Sequence, residues 1–186
     1  GQMEVHLETP KAAYLQYSPI PFNVCLKNIG GEEILLESTG KNMWLEILVQ
    51  SRDGLLLGSE KPFLPPDKKL KVGESAILPV DLAAYFLVRE VGGYQARASV
   101  RLPSGQTLLT EPLDFLIGRG EVIWTQTRGE GIEGRNYSLL KFYEDPNVGL
   151  YLRVEVPGKN IVYPCRRLGP YLPLTKPLAE FDGQNH

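Results

Sequence analysis

Histidine is almost missing from this chain of 186 residues: there are two, His6 and His186, one near each end. A histidine-based zinc site or a catalytic triad needs imidazoles brought to one place, and two residues so placed make either nearly impossible to build. Cysteine is as scarce. Cys25 and Cys165 are the whole supply, with no Cys-x-x-Cys pair, which removes zinc ribbons and thioredoxin-type redox sites. No charge of one sign dominates: 20 Lys and Arg stand against 22 Asp and Glu. Neither side of Gly118 carries the basic excess that a phosphate backbone demands, so no nucleic-acid partner is expected. No run of apolar residues approaches the ~18 of a membrane-spanning helix, so no spanning segment is expected. The chain opens Gly1-Gln2 rather than with Met. We read this as a tag remnant or a trimmed start, with the expectation of an extracytoplasmic setting, periplasm or cell surface, after removal of a signal peptide.

What is abundant is turn-forming residues, 19 Gly and 15 Pro, set between segments that alternate with a period of two. Residues 3–8 place Met3, Val5 and Leu7 against Glu4, His6 and Glu8. Residues 20–28 place Ile20, Phe22, Val24 and Leu26 against Pro21, Asn23, Cys25 and Lys27. Such alternation describes strands with one face on a core and one face wet. Further strands are expected at 33–36, 43–51, 76–80, 94–102 and 106–117. Turns fall at Asn28-Ile29-Gly30-Gly31, Asp53-Gly54, Val72-Gly73-Glu74-Ser75 and Pro103-Ser104-Gly105. One short helix is expected at 81–86, capped by Asp81. About eight short strands with turns every ~8–12 residues predict an all-β, antiparallel β-sandwich over residues 1–118. Tyr94, at the start of a late strand just after a turn, fits a tyrosine corner.

Residues 119–186 differ. After the junction Gly118-Arg119-Gly120, the segments 122–128, 137–143, 150–156 and 161–163 read as a four-stranded meander. A meander of this length makes a marginal core by itself, so it is expected to pack on the sandwich or on a neighbouring subunit.

Several framework features of Val24 to Arg101 resemble bacterial immunoglobulin-like domains. They are Leu26-Lys27-Asn28 and its Gly turn, Ile34-Leu35-Leu36, the Trp44–Val49 strand running into Asp53-Gly54, Val72-Gly73-Glu74-Ser75, and Gly92-Gly93-Tyr94-Gln95-Ala96. Similar arrangements occur in exported surface or pilus-associated sandwich domains and in BsuPI-type proteinase inhibitors. The resemblance implies an immunoglobulin-like sandwich and says far more about fold than function. No residue of an inhibitory loop can be carried over from it.

Little in the chain signals chemistry. Gly129-Glu130-Gly131-Ile132-Glu133-Gly134 matches G-x-G-x-x-G, but a strand rather than a helix follows, so it is read as a flexible hairpin loop and not a nucleotide site. The carboxylate pairs Glu32-Glu33 and Glu144-Asp145 are read as solvated turns. The basic run Lys68, Lys69 and Lys71 is read as a solvated strand edge. No catalytic, metal-binding or cofactor-binding residue is assigned. A disulfide between Cys25 and Cys165 is open, stapling the C-terminal part to the sandwich. The alternative is two unpaired, partly covered thiols, since nothing else in the sequence brings them together. Trp44 is read as core. Trp124, Tyr143, Tyr151 and Tyr163 fall on successive meander strands, where a ladder on one sheet face would pack on the sandwich or bind a partner.

These features lead to the expectation of a non-enzymatic structural, adhesive or partner-binding protein, pilus- or surface-associated, forming a homo-oligomer by strand or segment exchange. Two alternatives stand beside it. A carbohydrate-binding module would take surface glycans on exposed aromatics. A BsuPI-like protease inhibitor would use a loop within Lys61–Lys69.

Overall fold

The computed structural model describes residues 2–172; His186 and the tail from Pro173 lie outside them. Fifteen strands are described, in chain order: β1 (Met3–Glu8), β2 (Ala13–Leu15), β3 (Pro21–Asn28), β4 (Ile34–Leu36), β5 (Leu45–Ser51), β6 (Lys68–Leu70), β7 (Ser75–Asp81), β8 (Gly92–Arg101), β9 (Thr107–Leu109), β10 (Leu113–Gly118), β11 (Glu121–Arg128), β12 (Arg135–Tyr143), β13 (Val148–Val156), β14 (Ile161–Val162) and β15 (Arg166–Pro170). The helix α1 (Leu82–Tyr85) follows β7 directly. Asp81 caps it: its Oδ1 accepts from Ala83 N at 3.0 Å, and also from Ile20 N at 2.8 Å, tying the cap to the chain entering β3. No helix among the described residues is long and apolar enough to cross a membrane.

The alternation read from the sequence is the alternation of burial. β3 turns Phe22, Val24 and Leu26 inward, β5 Leu45, Ile47 and Val49, β8 Tyr94, Ala96, Ala98 and Val100, and β10 Phe115 and Ile117. A sheet ordered β1-β3-β7 and a second ordered β2-β10-β8-β5, with β9 also on β8, enclose this core. The chain is thus an all-β sandwich, its pairings antiparallel except for the short parallel contact of β2 with β10. Phe115 stacks on Tyr94 and meets Phe22 edge-on, so side chains of three strands lock together at the centre. Tyr94 donates from its hydroxyl to the Glu90 carbonyl at 2.6 Å, the bond back to upstream backbone that a tyrosine corner makes. Trp44 is 1% exposed and donates from Nε1 to the Pro66 carbonyl at 3.1 Å. That bond pins the proline-rich crossing segment over the core.

Three details of the sandwich depart from the sequence reading, the first being the short strand β2, which was not expected. The strand expected over 106–117 breaks at Glu111-Pro112 into β9 and β10, because proline supplies no N–H to the ladder. Asn28, met as a turn residue, is fully buried. Its Nδ2 donates to the Glu32 and Leu70 carbonyls and its Oδ1 accepts from Gly30 N, so all its polar atoms are satisfied inside.

Strands β11 to β15 form another sheet, ordered β11-β12-β13-β14 with β15 also on β13. The fifth strand, β15, was not expected; Arg166-Arg167-Leu168-Gly169-Pro170 has no alternation to betray it. This sheet has a small core of Leu140, Phe142, Tyr151 and Cys165, completed by Leu15 of β2. The glycines of the junction are there for close approach. A Cβ on Gly118 would sit 2.7 Å from the Phe142 ring, and one on Gly120 2.9 Å from Leu15. Cys165 N donates to the Tyr17 carbonyl at 2.7 Å, joining the two parts through backbone as well.

The hairpin loop Gly129–Gly134 is exposed but braced. It carries a 3-10 turn at Gly131–Glu133, and Glu133 pairs with Lys159 at 2.6 Å. A Cβ on Gly158 would lie 2.7 Å from Ile132 Cα and 2.8 Å from its carbonyl oxygen, and backbone cannot yield cheaply. Gly158→Ala is therefore expected to push this loop away and speed proteolysis after Arg135 several-fold, with the far-ultraviolet β signal unchanged. Unchanged cleavage kinetics would show that the brace does not restrain the loop.

Candidate functional site

Three places concentrate polar or aromatic side chains beyond the needs of the sandwich core. The first lies where the C-terminal sheet meets the N-terminal segment. Glu144 was expected in a solvated turn; instead it is 8% exposed, while its neighbour Asp145 is exposed. Its carboxylate accepts from Lys11 Nζ at 2.9 Å, from Arg167 Nε at 3.1 Å and Nη2 at 3.1 Å, and from the Tyr151 hydroxyl. These partners come from the β1–β2 connection, from β15 and from β13, which no local reading of Glu144-Asp145 could supply. Burial by itself pushes the carboxyl up, but donation from Arg167, Tyr151 and Lys11 outweighs it and holds the group down at about 2. Burial and the same carboxylate push the Tyr151 phenol up. The cluster ties the N-terminal segment to β13 and β15.

The second place is the β11–β15 sheet itself. The expected ladder of Trp124, Tyr143, Tyr151 and Tyr163 does not exist as one face. Directly opposed residues of antiparallel strands share a face. Trp124 is opposite Leu139, which puts it with Tyr143 on one side of β12. Tyr151 is opposite Leu140 and lies on the other side, buried against the sandwich. A bulge between Val122 and Trp124 shifts the β11 register and is part of the reason. Tyr163 follows β14 and is exposed, with the Arg135 guanidinium 6.0 Å from its ring centre. Trp124 is half-buried and Tyr143 exposed, and Leu150, Leu152 and Val154 share their face at intermediate burial.

The third place is on the outer face of β1 and β3. Cys25 and Cys165 are both buried and unpaired, which removes the disulfide between them. They belong to different sheets: Cys25 sits between β1 and β7, and Cys165 in the small core under the C-terminal sheet, where its Sγ donates weakly to the Gln16 carbonyl. Burial pushes the Cys165 thiol up to about 11, with Arg153 lowering and Glu155 raising it. A thiol so placed is inert at neutral pH. Cys25 has other company. The β1–β3 register sets it directly opposite His6, and Glu8 follows two residues on along the same face. His6 Nε2 lies 3.0 Å from Glu8 Oε1, and the Cys25 sulfur completes a group whose ligand atoms all fall within 4.8 Å of one another. Burial and the adjacent Glu8 push the Cys25 thiol up, and hydrogen bonds from His6 and Cys25 lower Glu8. The scarcity of histidine had set His6 aside. The available signal was that His6 and Cys25 both stand on the polar faces of neighbouring antiparallel strands.

No family model matches the chain, and no curated protein matches it. Among the solved structures that resemble it in three dimensions are two of known description. The sporulation control protein Spo0M of Bacillus subtilis shares 7% identity at a TM-score of 0.43, covering 88% of this chain and 83% of its own. The YadV chaperone shares 8% identity at a TM-score of 0.35, covering 90% of this chain and 100% of its own. The chain's own packing, register and burial make it an all-β sandwich protein.

Proposed function

We propose that the protein is a non-enzymatic structural or partner-binding building block with an immunoglobulin-like sandwich, and that its partner is a second copy of itself joined along β11. The observation that carries this reading is the condition of the sheet edges. Natural edge strands are guarded against pairing by shortness, proline, charge or cover. β7 has Pro79 at its middle, β5 is partly covered by Leu55–Leu57 through the Ser51 N–Leu55 O and Leu57 N–Val49 O bonds, and β2, β14 and β15 are short. β1 carries Glu4, His6 and Glu8 on its outer face. β11 is eight residues long and has no proline, and no further strand pairs with its outer side among the described residues. Its regular half, Trp124–Arg128, lies past the bulge.

Antiparallel pairing of two β11 strands about a two-fold axis keeps matching faces together. A register centred on Gln126 sets Trp124 of one copy opposite Arg128 of the other on one face, and Thr125 opposite Thr127 on the other. Adding a neighbour's strand to an exposed edge is a recurrent mode of assembly. The extracytoplasmic, surface- or pilus-associated setting belongs to this proposal and is supported only by the framework resemblance of Val24–Arg101; cell fractionation tests it. Trp44 is buried and is not available to stack on a sugar, which weakens the glycan-binding alternative.

Light scattering at tens of micromolar should give the mass of a dimer. Gln126→Lys, which places two like charges across the axis beside Arg128, should shift it to monomer. A monomeric wild type, or a dimer indifferent to Gln126→Lys, overturns the reading.

A further inference from the structure

We propose that the outer face of the β1–β3–β7 sheet binds a zinc-class divalent metal ion through His6, Glu8 and Cys25. The three donors are set by pairing rather than by sequence spacing. His6 faces Cys25 across the strands, and Glu8 lies two residues from His6 on the same face. They line a surface cavity of about 260 Å³ together with Glu4, Lys27 and Ile77, room for an ion and its water.

The donor chemistry selects the metal. A thiolate, an imidazole and a carboxylate suit zinc or cobalt, whereas calcium and magnesium take oxygen ligands. Bonds of ~2.0–2.3 Å in tetrahedral geometry put ligand atoms ~3.3–3.8 Å apart. The His6–Glu8 separation of 3.0 Å and the 4.8 Å bound on the whole group mean that closure needs a shift of at most about an ångström. The burial pattern permits that shift. Cys25 is held at 9% exposure, a fixed anchor, while the side chains of His6 and Glu8 are 62% and 59% exposed and free to swing toward it. Three protein donors leave a fourth position for water.

Cobalt titration of the intact protein tests the site directly. One Co²⁺ per chain should bind with a near-ultraviolet sulfur-to-cobalt charge-transfer band, and Zn²⁺ should displace it. Cys25→Ser should abolish the band. His6→Gln and Glu8→Gln should each weaken Zn²⁺ binding, read by competition with a chromophoric chelator, about tenfold or more. No band at saturating cobalt, a band that survives Cys25→Ser, or wild-type affinity in either exposed variant overturns the assignment. If Cys25→Ser does not fold, the two exposed variants decide it.

Discussion

Replacing Glu144 with glutamine should destabilise the protein by about 2–3 kcal/mol at neutral pH and remove most of the pH dependence of its stability in the acid range. The carboxylate is the common acceptor for Lys11, Arg167 and Tyr151. An amide offers one acceptor oxygen where the carboxylate offers two, and it leaves both cations without a counter-charge. The pH behaviour follows from the direction of the shift. In the unfolded chain the group titrates near 4.5 and in the folded protein at about 2. As acid is added, the unfolded form therefore takes up the proton first. The stability contributed by the ionised group is fully present above about 4.5 and is lost progressively as pH falls toward 2. Each pH unit between the two values is worth ~1.4 kcal/mol, and partial exposure of Arg167 screens some of it, leaving on the order of 2 kcal/mol. Urea midpoints measured from pH 7 to pH 2.5 would show a falling limb in the wild type and a much flatter one in Glu144→Gln. Parallel limbs would mean that the cluster is not what acid dissolves.

The second large effect is expected at Trp44. Trp44→Ala removes an indole that is 1% exposed and should cost ~3–5 kcal/mol, the range for emptying an aromatic site in a packed core. The loss has two parts. One is the cavity left beneath the crossing segment. The other is the Nε1–Pro66 carbonyl bond, which holds that segment down. Trp44→Phe keeps much of the volume and loses the bond, so it should fall between the wild type and Trp44→Ala. The two variants together separate packing from tethering in a denaturant series. In Trp44→Ala, proteolysis within Lys61–Asp67 should quicken as well, because this stretch before β6 would keep only weaker ties such as Phe63 against Tyr85 and Lys61 over the same ring. A cost below ~1 kcal/mol for Trp44→Ala would mean that the residue is not part of the core.

Both effects bear on where function is sought. Trp44 works for the sandwich, and Glu144 holds the C-terminal sheet to the N-terminal segment. What remains for recognition is the β11 edge with its neighbouring face, and the His6–Glu8–Cys25 group. Neither contributes to the main core, so variants at Gln126, His6 and Glu8 can be read for binding without loss of the fold.

Alternation and turn chemistry made the longer strands of the sandwich legible in the sequence alone, whereas the short β2 and β15 carry no such pattern. Phe22-Val24-Leu26, Leu45-Ile47-Val49 and Tyr94-Ala96-Ala98-Val100 bury one face each because side chains of a strand alternate with a period of two, and that period is written in the residues. The Asp81 cap and the Tyr94 corner were legible for the same reason, since each depends on atoms only a few residues away. What only the tertiary structure decided is which strands lie side by side and in what register. That choice set His6 opposite Cys25, separated Cys25 from Cys165, split Trp124 and Tyr143 from Tyr151, and brought Lys11 and Arg167 to Glu144. These contacts join residues up to 133 positions apart. They follow from how the sheets bury their apolar faces together, a property of the whole chain that no local pattern encodes.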